Sequence, residues 1–224
     1  MNTMLLSGSG RYADPWHPYP ETSAQIRALL ETAGHVVELR EDIDQAMQDL
    51  DDVDLLVVNA GDPWIEDSHR ITDPARSEHF RVALERGMGV IAVHWSVASL
   101  RDYPDWAAAT GGIWTTGSFH PPFGQLHVSG GSLPDGTAID SFDVEDERYC
   151  SIQFVGEHHC VATHEGSTAP EPTAWVREHL GARVAVDLLG HDARSWESAG
   201  RRNMFLALAA WVTRQEPVES EPQE

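Results

Sequence analysis

Short apolar runs separated by stretches of helical period organise the first hundred residues. Met4-Leu5-Leu6, His35-Val36-Val37-Glu38-Leu39, Val53-Asp54-Leu55-Leu56-Val57-Val58 and Gly89-Val90-Ile91-Ala92-Val93-His94 are short enough for strands and mostly apolar on both sides. Between them, Glu21 to Ala33 carries Ile26, Leu29 and Leu30 on one helical face and stops at Gly34. Asp42 to Leu50 reads as a second helix, and Asp73 to Arg86, closed by Gly87, as a third. Strands that are apolar all round, alternating with helices, predict a parallel sheet covered on both faces: an α/β fold of the doubly wound type.

Beyond Leu100 the rhythm changes. Gln125-Leu126-His127-Val128, Cys160 to Thr163, Thr173 to Val176 and Arg183 to Leu188 read as strands. Ser141 to Glu147 reads as an extended or loop segment, and Arg194 to Thr213 as a closing helix with Met204, Leu206, Leu208, Ala209 and Trp211 available for packing. No repeat is present. The expectation is one domain over residues 1–214 and a frayed acidic, proline-containing tail over 215–224.

Composition narrows the chemistry. The formal net charge is −21, and no basic stripe offsets it, so nucleic acid and anionic membrane surfaces are not expected partners. Neutral ligands such as sugars meet no such barrier. Every basic side chain is arginine. Without lysine there is no Walker A loop and no Schiff-base chemistry, so neither a nucleotide held in that way nor pyridoxal phosphate is expected. Cys150 and Cys160 do not form a CxxC motif, and any metal site is expected to draw on His, Asp and Glu. No apolar run approaches the roughly 18 residues of a bilayer span, and the first residues lack a basic leader, so the expected location is cytoplasmic.

In an open parallel sheet, ligands sit beyond the carboxyl ends of the strands. Four loops fall there: Ser7 to Trp16, Asn59 to Trp64, His94 to Ser96, and Leu189 to Asp192. His94 stands where a strand turns into the next element, the position of a nucleophile elbow. Ser96 lacks the G-x-S-x-G setting of a serine hydrolase. His120 lies in a loop stiffened by Pro121 and Pro122, and His191 follows Gly190. His94, His120 and His191 are therefore the candidate catalytic residues and the candidate metal ligands, with Glu147 of the Asp146-Glu147 pair as general acid or base. Trp16, His17, Trp64, Trp95, Tyr149 and Asp192 are candidates for binding substrate, the aromatic rings by stacking on a sugar.

At these residues the chain resembles the trehalose-utilisation, or ThuA-like, family. The resemblance rests on Gly89 to His94, then Trp106 through Gly111-Gly112, then His120-Pro121. It continues with Asp146-Glu147-Arg148-Tyr149, Thr173-Ala174-Trp175, the strand from Gly181 to Val186, and Leu189-Gly190-His191-Asp192 with Trp196. It implies a flavodoxin-like, class I glutamine amidotransferase-like three-layer sandwich, in which His94 takes the place of the elbow cysteine. It also implies a role in the catabolism of trehalose-type disaccharides through keto-sugars. The expected activity is a His-centred hydrolase or isomerase, assisted by one divalent zinc, nickel or manganese ion. The alternative is a sugar-binding or regulatory protein without catalysis. Homo-oligomerisation is left open.

Overall fold

The computed structural model describes residues 1–65 and 74–215. In chain order the strands and helices are β1 (Asn2–Ser7), α1 (Tyr19–Thr32), β2 (Val36–Arg40), α2 (Ile43–Ala46), β3 (Leu55–Asn59), α3 (Pro74–Arg86), β4 (Gly89–Val93), α4 (Pro104–Thr110), β5 (Gly112–Ile113), β6 (Gly124–Gly130), β7 (Phe142–Asp146), β8 (Gln153–Phe154), β9 (His159–His164), β10 (Glu171–His179), β11 (Ala182–Asp187) and α5 (Ala199–Val212). Short 3-10 turns cover Gly10–Tyr12, His94–Ala98 and Ala193–Glu197.

Nine strands form one sheet in the order β2-β1-β3-β4-β11-β10-β9-β6-β7, and β5 pairs separately with β8. From β2 to β11 every pairing is parallel, with Leu5 opposite both Leu39 and Val57, and Val186 opposite Ala92. From β11 onward every pairing is antiparallel. The α/β class and doubly wound parallel part therefore stand, and the sheet is mixed, with an antiparallel extension built from the later strands.

The period-2 geometry of a strand explains the layering. Leu5, Val57, Ile91, Val93 and Ala185 face one core, covered by Ile26 and Leu30 of α1 and by Met204, Phe205 and Leu208 of α5. Met4, Leu6, Leu56, Val58, Val90, Ala92, Val184 and Val186 face the other, covered by Phe80 and Leu84 of α3 and by Trp106 and Ala109 of α4. The result is a sheet between two helical layers.

Three segments differ from their expected form. The closing helix starts at Ala199 rather than near Arg194, because Ser198 is extended and its side chain caps Arg201 N–H. The segment before it is the 3-10 turn Ala193–Glu197, capped by Asp192. Helix α2 is a single turn ending at Ala46, where Gln48 N and Asp49 N bond back three residues instead of four. Phe142–Asp146 is a true strand that pairs with β6. Asp73 and residues 216–224 of the expected tail lie outside the described residues. No helix among the described residues is long and apolar enough to cross a membrane.

Candidate functional site

Because β1, β3, β4 and β11 run parallel, the loops that follow them meet at one rim of the sheet. At that rim His94 begins the turn after β4 with φ of +51°, a left-handed backbone that costs a non-glycine residue energy. Its ring is buried at 2% exposure, and its Nδ1–H donates to the Leu188 carbonyl at 2.8 Å. A carbonyl can only accept, so the neutral ring presents a bare Nε2. That Nε2 meets the Tyr149 hydroxyl at 2.8 Å and Glu147 Oε2 at 3.5 Å. Gly190, at φ +121°, lies beside Val93 and His94, a position where a side chain would be both strained and crowded.

Asp146 joins two parts of the rim. Its Oδ2 accepts Gly190 N–H at 2.7 Å, and its Oδ1 accepts His191 N–H at 3.2 Å and Glu147 N–H at 2.8 Å. The end of β7 is thereby tied to the loop after β11, which sets His191 Nδ1 3.3 Å from Glu147 Oε2.

His17 enters from the loop after β1. Asp14 Oδ1 accepts the backbone N–H of Trp16 and of His17 at 3.0 Å and His17 Nδ1–H at 2.8 Å, and its Oδ2 accepts the Tyr19 hydroxyl at 2.7 Å. His17 Nε2 is then left buried with no partner. The rings of His17, His94 and His191 lie 4.9–5.6 Å apart. One donor atom from each of His17, His94, Glu147 and His191 lies within 4.8 Å of all the others.

The electrostatics follow from this crowding. Burial opposes ionisation of Glu147, but its contacts with His191 and His94 outweigh that and hold the carboxyl well below its usual range. Burial likewise opposes ionisation of Asp14, and the bonds from His17 and Tyr19 bring it down to about 2. His17 is shifted down by burial despite Asp14, and His191 is shifted up because Glu147 outweighs its burial. Burial and the neighbouring Glu147 charge push the Tyr149 hydroxyl well above its ordinary value, so it remains a donor.

Above the cluster is a cavity of about 470 Å³. Trp16, Trp95, Trp114 and Tyr149 give it aromatic walls, Ile65 closes one side, and His17, Glu147 and His191 supply the polar floor, a make-up common to small-molecule sites. Trp95 and Trp114 meet edge to face at 4.9 Å, and Trp114 and Tyr149 do so at 4.6 Å.

The structure thus gathers His94, His191, Glu147, Tyr149, His17, Trp16 and Trp95 at one place. His120 stands at the rim, partly exposed, with Nδ1 3.3 Å from Glu147 Oε1, outside the four-donor set. Two expected substrate contacts point elsewhere. Trp64 is absent from the cavity lining, and its indole N–H donates to Asp102 at 3.0 Å; Asp192 caps the turn Ala193–Glu197 and pairs with Arg194. Ser96 Oγ donates to the Val58 carbonyl at 2.7 Å and accepts Ala60 N–H, so it serves the backbone. Sequence reasoning missed Asp14, whose only signal is the Asp-x-x-His spacing before α1. It also did not single out the bracing by Asp146.

The family profile described as trehalose utilisation (ThuA) matches residues 9–212. The chain belongs to the ThuA family. No curated protein matches the sequence. Among solved structures, a ThuA-like protein from Parabacteroides merdae superposes with a TM-score of 0.78 at 17% identity, covering 99% of this chain and 92% of its own. A second ThuA-like protein, from Bacteroides uniformis, gives 0.71 at 12% identity, with 94% and 90% covered. A β-galactosidase from Rahnella sp. R3 gives 0.64 at 14% identity, with 96% of this chain matched to 31% of the enzyme. At these identities the likeness concerns the fold alone; the family assignment carries the link to trehalose utilisation.

Proposed function

We propose that this ThuA-family protein is an enzyme of sugar catabolism that acts on a trehalose-type sugar or keto-sugar in the aromatic cavity. In this reading His17, His94, His191 and Glu147 hold one divalent cation. The observation that carries it is the convergence of one donor atom from each of His17, His94, His191 and Glu147, three of which, His17, His191 and Glu147, line the cavity floor. The donors suit such an ion: His17 Nε2 is buried without a partner, and His94 Nε2 is bare because Leu188 takes the proton on the other nitrogen. Three imidazoles with a carboxylate fit zinc, nickel or manganese. A bound cation would polarise a carbonyl oxygen or lower the pKa of a water.

The remaining work falls to the chain itself. Asp14 and the Leu188 carbonyl fix the tautomers of His17 and His94, as outer hydrogen bonds commonly do for ligating histidines. Tyr149 keeps its proton and donates it in a hydrogen bond to His94 Nε2 at 2.8 Å; a cation taken by that nitrogen would free the hydroxyl to donate to a substrate oxygen. His120 is the mobile-proton candidate, reachable from solvent and in contact with Glu147. The tryptophan rings can cover the apolar face of a sugar and exclude water from the floor. We read the strand-end turn at His94 as the counterpart of an amidotransferase elbow, carrying an imidazole in place of a thiol. Neither cysteine lines the cavity.

Elemental analysis and calorimetric titration of the untagged protein test the cation directly. About one equivalent at this centre is expected, lost in His17→Ala and in His94→Ala; full retention in both would overturn the assignment. Turnover of keto-disaccharides separates catalysis from binding, since binding without turnover would refute the enzymatic reading while leaving the cavity intact.

A further inference from the structure

A second group of unlike donors lies away from the aromatic cavity, on the antiparallel side of the sheet. His164 ends β9 and Glu171 opens β10, and the two are direct partners across the antiparallel ladder. Cys150 is held opposite them by a two-way backbone bridge to Phe119. The thiol Sγ, an imidazole nitrogen and a Glu171 carboxylate oxygen lie within 4.8 Å of one another. None of the three lines the aromatic cavity.

We infer that Cys150, His164 and Glu171 form a separate cation site for a borderline-soft divalent ion of the zinc class, which locks the β9–β10 hairpin to the segment carrying Glu147 and Tyr149.

The donor chemistry supports this. A thiolate, an imidazole and a carboxylate are three of the side-chain ligands zinc takes, and their two negative charges balance a divalent ion. Sγ and His164 Nε2 are 4.0 Å apart, against about 3.6 Å for two such ligands on a tetrahedral zinc, so a shift of a few tenths of an ångström closes the site. Thr173 Oγ1, 2.9 Å from His164 Nδ1, can take the proton on that nitrogen and leave Nε2 bare toward the thiol. Glu171 Oε2 is anchored by Ser151 N–H, which leaves its other oxygen available. Ser151 has φ of +58°, so the backbone next to Cys150 is held in a costly shape where it contacts Glu171. A neighbouring cavity of about 430 Å³, lined by His164 and the 165–170 loop, places open space beside one of the three donors.

Cobalt(II) titration of the reduced, metal-stripped full chain separates this site from the histidine centre, because only this one contains sulfur. A thiolate-to-cobalt charge-transfer band in the near ultraviolet is expected, reaching its plateau at one equivalent for this site and displaced by zinc. It should persist in His94→Ala and in Cys160→Ser and vanish in Cys150→Ser. Thr173→Val should retain the band with roughly tenfold weaker affinity. Absence of the band in folded wild-type protein at saturating cobalt would overturn the proposal without reference to any variant, as would its loss in Cys160→Ser with retention in Cys150→Ser. The proposed function stands or falls separately, since its ligands supply no sulfur.

Discussion

The pair Asp187–Arg201 lies beneath the rim, with both side chains fully buried and 2.7 Å between Oδ2 and NH1. Arg201 also stacks on Trp196 at 4.0 Å and donates to the Leu189 carbonyl, and Asp187 accepts Leu189 N–H, so the pair holds the loop on which His94 leans. Burial drives the Asp187 carboxyl up to about 6 even with the guanidinium beside it. A rise of roughly two units corresponds to about 3 kcal/mol of opposition to folding at neutral pH. Arg201→Met keeps much of the packing volume but removes the cation, and breaking a buried pair in this way typically costs about 3–5 kcal/mol.

The sign of the pH effect follows. A folded-state pKa above the unfolded value makes the burden absent below about pH 4 and complete above the folded pKa. Without Arg201 the carboxyl titrates higher still. The stability gap between Arg201→Met and wild type should therefore narrow as pH falls from 8 to 6, by at most about 1.4 kcal/mol per unit. Urea unfolding followed by tryptophan fluorescence measures this. Asp187→Asn combined with Arg201→Met should recover at least about 2 kcal/mol relative to the single Arg201 variant. A gap that stays constant with pH, together with a double variant no more stable than the single one, would refute the reasoning.

Asp14→Asn should weaken divalent-cation binding about 10–100-fold, because His17 loses the anionic partner of its Nδ1–H; calorimetric titration reads the change. Tyr149→Phe removes the donor to His94 Nε2 and should cost about 1–2 kcal/mol in urea unfolding, with turnover falling more than substrate affinity in steady-state kinetics. Gly130→Ala drives a Cβ into the Ile139 carbonyl oxygen, a backbone atom that cannot swing aside. A loss of about 1–3 kcal/mol is expected in thermal or urea unfolding.

The parallel half of the sheet was readable because its inner strands β1, β3 and β4 are apolar on both faces, and the alternation of Met4, Leu5 and Leu6 between two cores shows why. The antiparallel half was harder: β6 and β7 are partly exposed, and strand direction leaves no mark in composition. His94 could be picked out because a histidine at the end of an apolar run must meet a turn. Its left-handed backbone leaves no such mark, and the Leu188 carbonyl that its ring meets lies almost a hundred residues away in the chain. The sequence view gave His17 a wall position and chose His120 as a ligand. The geometry groups His17 with His94 and His191 because Asp14 turns its ring, and a local Asp-x-x-His spacing does not disclose which way the ring points. Trp64 stands in the right loop, but its indole is turned to Asp102.

The place of β11 has a consequence for biosynthesis. It is the last strand among the described residues, yet it sits in the middle of the sheet, between β4 and β10. Until Ala182–Asp187 leaves the ribosome, the emerging polypeptide has two unfinished borders, each able to recruit a foreign strand. Seating this keystone requires a closure across nearly half the chain, which belongs among the slow events of folding. The same arrival delivers the Leu188 carbonyl to His94, so the histidine centre is assembled only when the keystone is in place.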